Sequence, residues 1–180
     1  STAHYGLQPL RLCGRTFAMS SRMPDGSASA AAHLYLREEQ MRQAYEALLL
    51  AWRSLNAECD TILRENGLGS AHHRILFLVS SHENITPSVL LERLGITKQS
   101  LGRALNDLKE RQMIEQGYDA NDRRLRPLRL TEKGLQIEQR LFRLIRGVMT
   151  NAYREAGVSA VEGFRRVLAP LQENSEGKIG

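Results

Sequence analysis

From residue 34 onwards, apolar residues recur at alternating steps of four and three, which is the spacing of one face of an α-helix. The predicted helix ends at Gly67, and its face carries Met41, Tyr45, Leu48, Trp52, Leu55, Cys59 and Ile62. A helix of about thirty residues is roughly 45 Å long, more than one small domain covers. Part of this face is therefore expected to meet another subunit; the alternative is that later helices of the same chain cover all of it.

A second helix is predicted after Gly67, with Ser70 as its N-terminal cap. Its apolar side carries Ile75, Leu76, Leu78 and Val79. The adjacent His72 and His73 lie near its start, and neighbouring residues cannot share one helix face, so one is expected to point inward and the other to be exposed. Structural roles are favoured for both over metal binding, even with His82 nearby.

Residues 85–131 show the spacing of a helix-turn-helix followed by a hairpin. Thr86 and Pro87 mark the start of the first short helix, because a hydroxyl caps orphan amides and proline presets φ at the first helical position. Gly95 ends this helix by accepting a left-handed conformation, and Thr97 caps the second helix. The inward positions are Val89, Leu90, Leu91 and Leu94 in the first helix and Leu101, Ala104, Leu105 and Leu108 in the second.

Alternating apolar residues then predict two short strands that flank a loop from Asp119 to Pro127. The strands are indicated by Met113, Ile114, Gln116 and Tyr118 on one side and by Leu128 and Leu130 on the other. The loop has too many charges to be buried, namely Asp122, Arg123, Arg124 and Arg126. It is expected to project into solvent or onto a polyanion.

Two more helices are predicted beyond the hairpin. Thr131 and Glu132 begin the first, with an acid at its positive end, and Gly157 stops it. Ser159 and Glu162 have the spacing of a capping box for the second. The apolar faces are Ile137, Leu141, Leu144, Ile145, Val148 and Ala152, and then Val161, Phe164, Leu168 and Leu171 in a last amphipathic helix before Pro170 and a polar tail. Such broad faces on terminal helices need a partner.

The run LLERLGITKQSLGRALNDLKE, the DRR that ends at Arg124 and the LTEKG that ends at Gly134 resemble the MarR-type transcriptional regulators. The resemblance covers roughly residues 34 to 172. It implies a mostly α fold with a small β-hairpin wing, a winged helix-turn-helix in which the first and last helices of two subunits interlock. Two residues depart from the family pattern: Gln112 stands where glycine usually follows the recognition helix, and Gly102 where a small hydroxyl residue is common.

The predicted organisation is one domain with an extension. Residues 1–32 show no sustained period and are interpreted as a flexible or arm-like N-terminal extension, the alternative being a basic arm that contacts DNA or a partner subunit. Residues 33–180 form the regulator domain, with dimerisation helices in 33–67 and 132–172 and the DNA-binding winged helix in 70–131.

The composition of the chain favours some classes of protein and argues against others. A chain of 180 residues with 42% hydrophobic content can bury a real core, and a formal charge of +5 favours a polyanionic partner. No apolar run reaches the roughly 20 residues that cross a bilayer, and no secretory signal is indicated, so a cytoplasmic location without a membrane partner is expected. Cys13 and Cys59 match no metal or disulfide spacing, and no catalytic or cofactor motif is found, so no enzyme, metal or cofactor is expected.

DNA reading is predicted at the start of the recognition helix, where polar side chains can enter the major groove. Gln99 suits adenine through a paired donor and acceptor, and Arg103 suits guanine or phosphate. Thr97, Lys98 and Ser100 are expected to hold the DNA backbone.

In the wing, the resemblance assigns Arg124 to the minor groove and Asp122 to bracing a nearby arginine. Arg123 and Arg126 are counted with them as DNA-binding residues. A planar guanidinium fits a narrow, negative groove, which supports this assignment; the competing interpretation is a weak surface ion pair.

The resemblance also places the helix that carries His72 and His73 beside an effector cavity, which makes these residues candidate pocket residues together with Trp52. For Trp52 itself a place in the core is favoured. The expected function is that of a repressor which binds a near-palindromic operator on double-stranded DNA as a homodimer and responds to a small molecule. Two rivals stay open: a winged-helix protein-interaction module and a metal- or thiol-responsive regulator.

Overall fold

The computed structural model describes residues 35–117 and 126–176, which are mostly helical with one two-stranded hairpin. In chain order the elements are α1 (Glu38–Glu65), α2 (Ser70–Ser81), α3 (Pro87–Leu94), α4 (Lys98–Glu110), β1 (Ile114–Gln116), β2 (Leu128–Leu130), α5 (Glu132–Ala156) and α6 (Val158–Glu176). The strands are antiparallel, with Ile114 opposite Leu130 and Gln116 opposite Leu128. The predicted fold class is confirmed.

The core lies where α2, α3 and α4 meet the end of α1, the hairpin and the beginning of α5. The chain divides into two compact units between Glu46 and Ala47, and this core belongs to the second unit. Its most deeply buried side chains are Cys59, Ile75, Leu76, Leu90, Leu108, Met113, Pro127, Leu128 and Leu141. Burial of each large aliphatic side chain stabilises the fold by about 1.5–3 kcal/mol.

The first helix ends at a glycine, as predicted. Gly67 has a φ of +64°, which a residue without Cβ adopts freely. Its amide donates to the carbonyl of Arg64 at 3.1 Å, and the amide of Leu68 donates to that of Leu63 at 2.8 Å. This Schellman motif pairs carbonyls that the last turn of α1 would leave without partners.

The predicted caps of the two short helices are also confirmed. The amide of Val89 donates to the hydroxyl of Thr86 at 3.4 Å, and the amide of Ser100 donates to that of Thr97 at 3.1 Å. Gly95 is left-handed, with a φ of +58°. Local capping chemistry therefore defines the turn that separates α3 from α4.

The recognition helix, α4, ends in a Schellman motif without glycine. Gln112 has a φ of +58°; its amide donates to the carbonyl of Lys109 at 2.9 Å, and the amide of Met113 donates to that of Leu108 at 2.9 Å. A non-glycine residue in this conformation costs roughly 1–2 kcal/mol. The hydroxyl of Thr131 donates to the carbonyl of Gln112 at 2.6 Å and holds the turn in place.

Thr131 connects this turn to α5. Its hydroxyl also accepts from the amide of Gly134 at 3.1 Å and thereby caps the helix. Its amide donates to the carbonyl of Met113 at 3.1 Å. There is no room for a Cβ on Gly134, because the Met113 carbonyl occupies that space. The end of α4 and the start of α5 are thus fitted closely to each other.

The predicted cap of α2 is wrong by one residue. Ser70 is the first helical residue, and Gly69 is the N-cap. Gly69 has no side chain with which to cap an amide; instead, His72 reaches back, and its Nδ1 accepts from the Gly69 amide at 2.9 Å. The imidazole thus supplies an acceptor for the N-cap amide, which is not the amide that a capping serine hydroxyl would have bonded.

Two predictions for the last helix are also wrong. The capping box at Ser159 does not form, because α6 begins directly after Gly157 and the carbonyl of Gly157 accepts from the amide of Val161 at 3.2 Å. The helix also does not stop before Pro170 but continues through it to Glu176. A proline removes one helical hydrogen bond, yet here it does not end the helix.

Large apolar side chains are exposed on α1 and on α6. They are Met41, Tyr45, Leu48, Leu49, Leu50 and Trp52 in α1, and Val158, Phe164, Val167 and Leu171 in α6. Within the second unit, Leu48 and Trp52 of the predicted face are thus exposed whereas Cys59 is buried, so the alternative that later helices cover the whole face does not hold. Over the described ranges, none of the helices has the length and apolar content needed to cross a membrane.

Candidate nucleic-acid interface

The recognition helix α4 buries one face and exposes the other. Its buried residues are the four predicted ones, Leu101, Ala104, Leu105 and Leu108. On the opposite side Gln99 and Arg103 are exposed, and their spacing of four residues places them side by side. An amide and a guanidinium are side-chain groups that form paired hydrogen bonds with base edges. The fold therefore brings together the two residues predicted to read bases.

The beginning of α4 carries the predicted backbone-binding residues. Thr97, Lys98 and Ser100 are all exposed. The Thr97 hydroxyl donates to that of Ser100 at 2.9 Å while it caps the helix, so the Ser100 hydroxyl keeps its own proton for an outside acceptor. The positive end of the helix dipole and the Lys98 ammonium favour an anion at this place.

Asn106 extends the exposed face and was not predicted. It is exposed and lies seven residues after Gln99, two turns further along the same side of α4. An asparagine amide forms the same paired bonds with adenine as a glutamine amide. Its helical spacing from Gln99 was the sequence signal that could have identified it.

Gly102 leaves a gap in this face. A Cβ built at this position meets nothing within 4 Å. Glycine is therefore not required there by packing or by a left-handed backbone, although it weakens a helix interior by about 0.8–1.0 kcal/mol relative to alanine. The gap lies between the side chains of Gln99 and Asn106.

The described part of the wing is its base. Arg126 is exposed just before β2, and Pro127 beside it is buried. The amide of Gly117 donates to the carbonyl of Pro127 at 2.7 Å and closes the base of the hairpin. Three other residues predicted to bind DNA, Asp122, Arg123 and Arg124, lie outside the described residues.

A polar cluster attaches the last turn of α4 to the corner between α1 and α2. The Asp107 carboxylate is 3.1 Å from His72 Nε2 and accepts from Arg111 Nε at 2.8 Å. Arg111 Nη1 donates to the carbonyl of Asn66 at 3.1 Å, and His72 Nδ1 accepts from the amide of Gly69 at 2.9 Å. We call His72, Asp107 and Arg111 the corner cluster.

Neither of the two adjacent histidines is exposed, so the prediction that one of them would be is wrong. The His72 side chain is only 16% exposed, and His73 is 6% exposed. Burial lowers the pKa of His72, an effect that Asp107 opposes and Arg111 reinforces. Because Nδ1 already accepts from the Gly69 amide, a neutral imidazole with its proton on Nε2 suits both contacts. The approach of His72 Nε2 to Asp107 at 3.1 Å is thus a polar contact of a neutral imidazole rather than an ion pair.

The three predicted pocket residues have different surroundings. Trp52 is 57% exposed, so the interpretation as a core residue does not hold in the single chain. His73 is buried, and its Nδ1 has no hydrogen-bond partner. Burial, reinforced by the charge of Arg74, lowers the pKa of His73. His72 is held in the corner cluster.

Two cavities lie elsewhere in the described structure. One of about 450 Å³ opens at the hairpin base, between the end of α2, β2 and the start of α5. The other, of about 560 Å³, lies between α5 and α6. The first is lined by Val79, Ser80, His82, Glu83, Asn84, Leu128, Arg129, Leu130 and Leu135. Neither is lined by Trp52, His72 or His73.

Cys59 is a core residue. It has no exposed area, and its Sγ lies 3.8 Å from the carbonyl of Leu141. Burial, followed by the nearby Asp60 and Glu58, raises the pKa of this thiol, which disfavours the reactive thiolate. Within the described residues, no group of three or more histidine, cysteine, aspartate or glutamate side chains is placed to hold a metal ion.

The sequence model of the MarR family matches residues 66–125, which hold α2, α3, α4 and the first strand. An HTH-type transcriptional regulator, PetP of Rhodobacter capsulatus, is 40% identical over 140 residues, which is 78% of this chain and 84% of PetP. These relatives are regulators of transcription and not enzymes.

Solved structures share the fold at low sequence identity. NadR in complex with 4-hydroxyphenylacetate is 20% identical, with a TM-score of 0.62, over 88% of this chain and all of that one. CouR from Rhodococcus jostii RHA1, bound to p-coumaroyl-CoA, is 16% identical, with a TM-score of 0.60, over 70% of this chain and 89% of that one. Both likenesses concern the order and packing of the elements.

Proposed function

We propose that this chain, which belongs to the MarR family of transcriptional regulators, represses transcription as a homodimer on a near-palindromic operator and releases it when a small molecule binds. The observation that carries the proposal is the division of α4 into a fully apolar inner face and an outer face with amide and guanidinium groups. Such a helix is suited to enter the major groove while its inner face keeps it attached to the core.

The proposed DNA contacts are of two kinds: some read the bases, and others position the protein on the DNA backbone. Gln99 and Asn106 would read adenines, and Arg103 a guanine or a phosphate. Thr97, Lys98 and Ser100, at the positive end of α4, would hold the DNA backbone, and the wing residues Asp122, Arg123, Arg124 and Arg126 would act in the adjacent minor groove. Phosphate contacts add affinity at any sequence, whereas the base contacts select the operator.

The proposed homodimer rests on the uncovered apolar residues of α1 and α6. Large apolar side chains, including Trp52 in α1 and Phe164 in α6, are exposed in the single chain. Large apolar side chains that are exposed together on a helix are typical of a protein contact. A symmetric dimer would present two recognition helices to successive major grooves, about 34 Å apart along one side of the duplex.

A small-molecule effector is supported by relatives that hold small ligands, among them NadR with 4-hydroxyphenylacetate. Trp52, His72 and His73 remain the proposed pocket residues. His73 offers a buried Nδ1 without a partner, and a second subunit would close over the exposed ring of Trp52. If the effector favours the DNA-incompetent state, operator DNA must weaken effector binding by the same factor.

The test is selection of duplexes from a random library, followed by titration over a salt series. The wild-type chain should select symmetric half-sites about one helical turn apart. Gln99→Ala should relax one base position per half-site by roughly 1–3 kcal/mol. Gln139→Ala, an exposed glutamine on α5, is the matched control and should change nothing. Recovery of no sequence and no salt dependence would favour a protein-interaction module instead.

A further inference from the structure

We propose that Asp107 is a positioning residue, which fixes the orientation of the recognition helix by joining its last turns to the corner between α1 and α2 through His72 and Arg111. The inference rests on the proposed function in one respect, since it assumes that the exposed face of α4 reads DNA. It concerns residues that would themselves not touch DNA.

The contacts of Asp107 connect two helices. Each carboxylate oxygen of Asp107 has its own partner: Oδ1 accepts from Arg111 Nε at 2.8 Å, and Oδ2 lies 3.1 Å from His72 Nε2. Arg111 is one turn further along α4, whereas His72 belongs to α2. Hydrogen bonds depend on angle as well as distance, while burial of apolar surface does not. The Arg111 bond lies within the end of α4, so it is the 3.1 Å contact with His72 that joins α4 to α2 and restricts its rotation.

Both partners of Asp107 are attached to the corner between α1 and α2. Arg111 Nη1 donates to the carbonyl of Asn66 at 3.1 Å, and His72 Nδ1 accepts from the amide of Gly69 at 2.9 Å. A Cβ on the intervening Gly67 would lie 2.9 Å from Arg111 Nη1. The backbone between α1 and α2 therefore leaves space for the guanidinium, and it bonds to both Arg111 at the end of α4 and His72 of α2.

The orientation of α4 sets the positions of the side chains on its exposed face. Asn106 is adjacent to Asp107 in sequence, and Arg103 is four residues before it. A rotation of α4 by about 10° would move side-chain tips that lie ~6 Å from its axis by roughly 1 Å, more than the ~0.5 Å tolerance of a binding constellation. The contacts of the inner apolar face are non-directional, so they fix this rotation less sharply than a polar contact does. The corner cluster supplies the missing restraint.

A pair of substitutions at His72 separates this role from simple capping. His72→Asn places an amide oxygen where Nδ1 lies, so the Gly69 amide keeps its acceptor while the bridge to Asp107 is lost. His72→Gln places an amide nitrogen near the position of Nε2, so the bridge is kept while the cap is lost. Both side chains are polar amides of related size, and each serves as the control for the other.

The first measurement uses no DNA and follows amide hydrogen exchange of the full-length chain. In His72→Asn, amides in the last turns of α4 should exchange about tenfold faster, as expected for loss of one hydrogen bond to a charged group. In His72→Gln the increase should be confined to the beginning of α2. Unchanged exchange across α4 in His72→Asn would overturn the proposal, whether or not the chain binds DNA as proposed.

The second measurement uses a duplex selected by the wild-type chain and versions with one base pair added or removed between the half-sites. His72→Asn should bind the selected duplex about tenfold more weakly and discriminate less against the altered spacings, with an unchanged salt slope because phosphate contacts remain. His72→Gln should keep the wild-type discrimination. Equal losses of affinity and discrimination in the two variants would mean that His72 acts only as a structural cap, and they would overturn the proposed bridge to Asp107. If the wild-type chain selects no duplex, the proposed function fails and hydrogen exchange alone decides.

Discussion

Replacement of Thr131 should reveal how much the junction between α4 and α5 contributes to stability. One hydroxyl makes two contacts there: it donates to the carbonyl of Gln112 at 2.6 Å and accepts from the amide of Gly134 at 3.1 Å. Loss of an N-cap costs about 1 kcal/mol, and loss of a neutral hydrogen bond costs about 0.5–1.5 kcal/mol. Thr131→Ala should therefore lower the free energy of unfolding by about 2 kcal/mol.

The matched control is Thr131→Ser, which keeps the hydroxyl and removes only a methyl group. It should cost less than about 0.5 kcal/mol, as is usual for a change near the surface. Urea unfolding followed by circular dichroism, at one fixed protein concentration because dimerisation adds to apparent stability, measures both variants. The alanine variant should also melt about 4–8 °C lower for a chain of this size. If the two variants unfold at the same urea concentration, the hydroxyl does not stabilise the junction as argued.

Three further predictions concern the same elements. Gly102→Ala should stabilise the chain by about 0.8–1.0 kcal/mol in urea unfolding, since its Cβ meets open space; a loss of stability would contradict this. Gln112→Gly should relieve the left-handed strain and raise stability by about 1 kcal/mol, and Gln116→Gly in β1 is a control that should not. As the pH is lowered below the ordinary histidine pKa of 6.5, the free energy of unfolding should decrease, because His72 and His73 have lowered pKa values in the folded chain and the unfolded chain takes up protons first; each contributes at most about 1.4 kcal/mol per pH unit. Glu138 has an opposing effect, since burial raises the pKa of its carboxyl, so the profile is measured in Glu138→Gln, where a flat profile would refute the prediction.

The turns of the reading unit were predictable because their causes are local. A hydroxyl before a helix, as at Thr86 and Thr97, meets an amide three residues later whatever the rest of the chain does. Gly67 and Gly95 are left-handed because the helix before each of them must end within a few residues. No long-range contact needs to be known for such features.

The error at the start of α2 and the unusual turn at Gln112 both involve residues from another part of the chain. Gly69 serves as the N-cap in place of Ser70 because His72 supplies an acceptor, and the imidazole is held by Asp107 from another helix. Gln112 adopts a conformation that favours glycine while Thr131, nineteen residues later, holds its carbonyl. Periodicity and capping rules describe neighbours along the chain and carry no information about such pairs.

For the candidate site, helical spacing indicated which side of α4 is polar and which is buried. It predicted the exposure of Gln99 and Arg103. The same spacing, followed for one more turn, would also have predicted the exposure of Asn106. It could not show that Asp107, next to Asn106, turns back towards α2, because an aspartate on a helix surface is usually solvated. The attachment of α4 became visible only from the contact between the two helices.

The polar contacts of α4 are concentrated at its two ends. Thr97 caps its start, and Asp107 with Arg111 ties its last turns to the corner before α2. Between them the inner side is apolar and the outer side, from Gln99 onwards, is solvent-exposed. Apolar burial supplies most of the attachment energy but tolerates small rotations, whereas the hydrogen bonds at the ends tolerate few. The orientation of the outer face therefore depends on groups at the ends of the helix, and substitutions there should change how DNA is read without removing any group that would touch it.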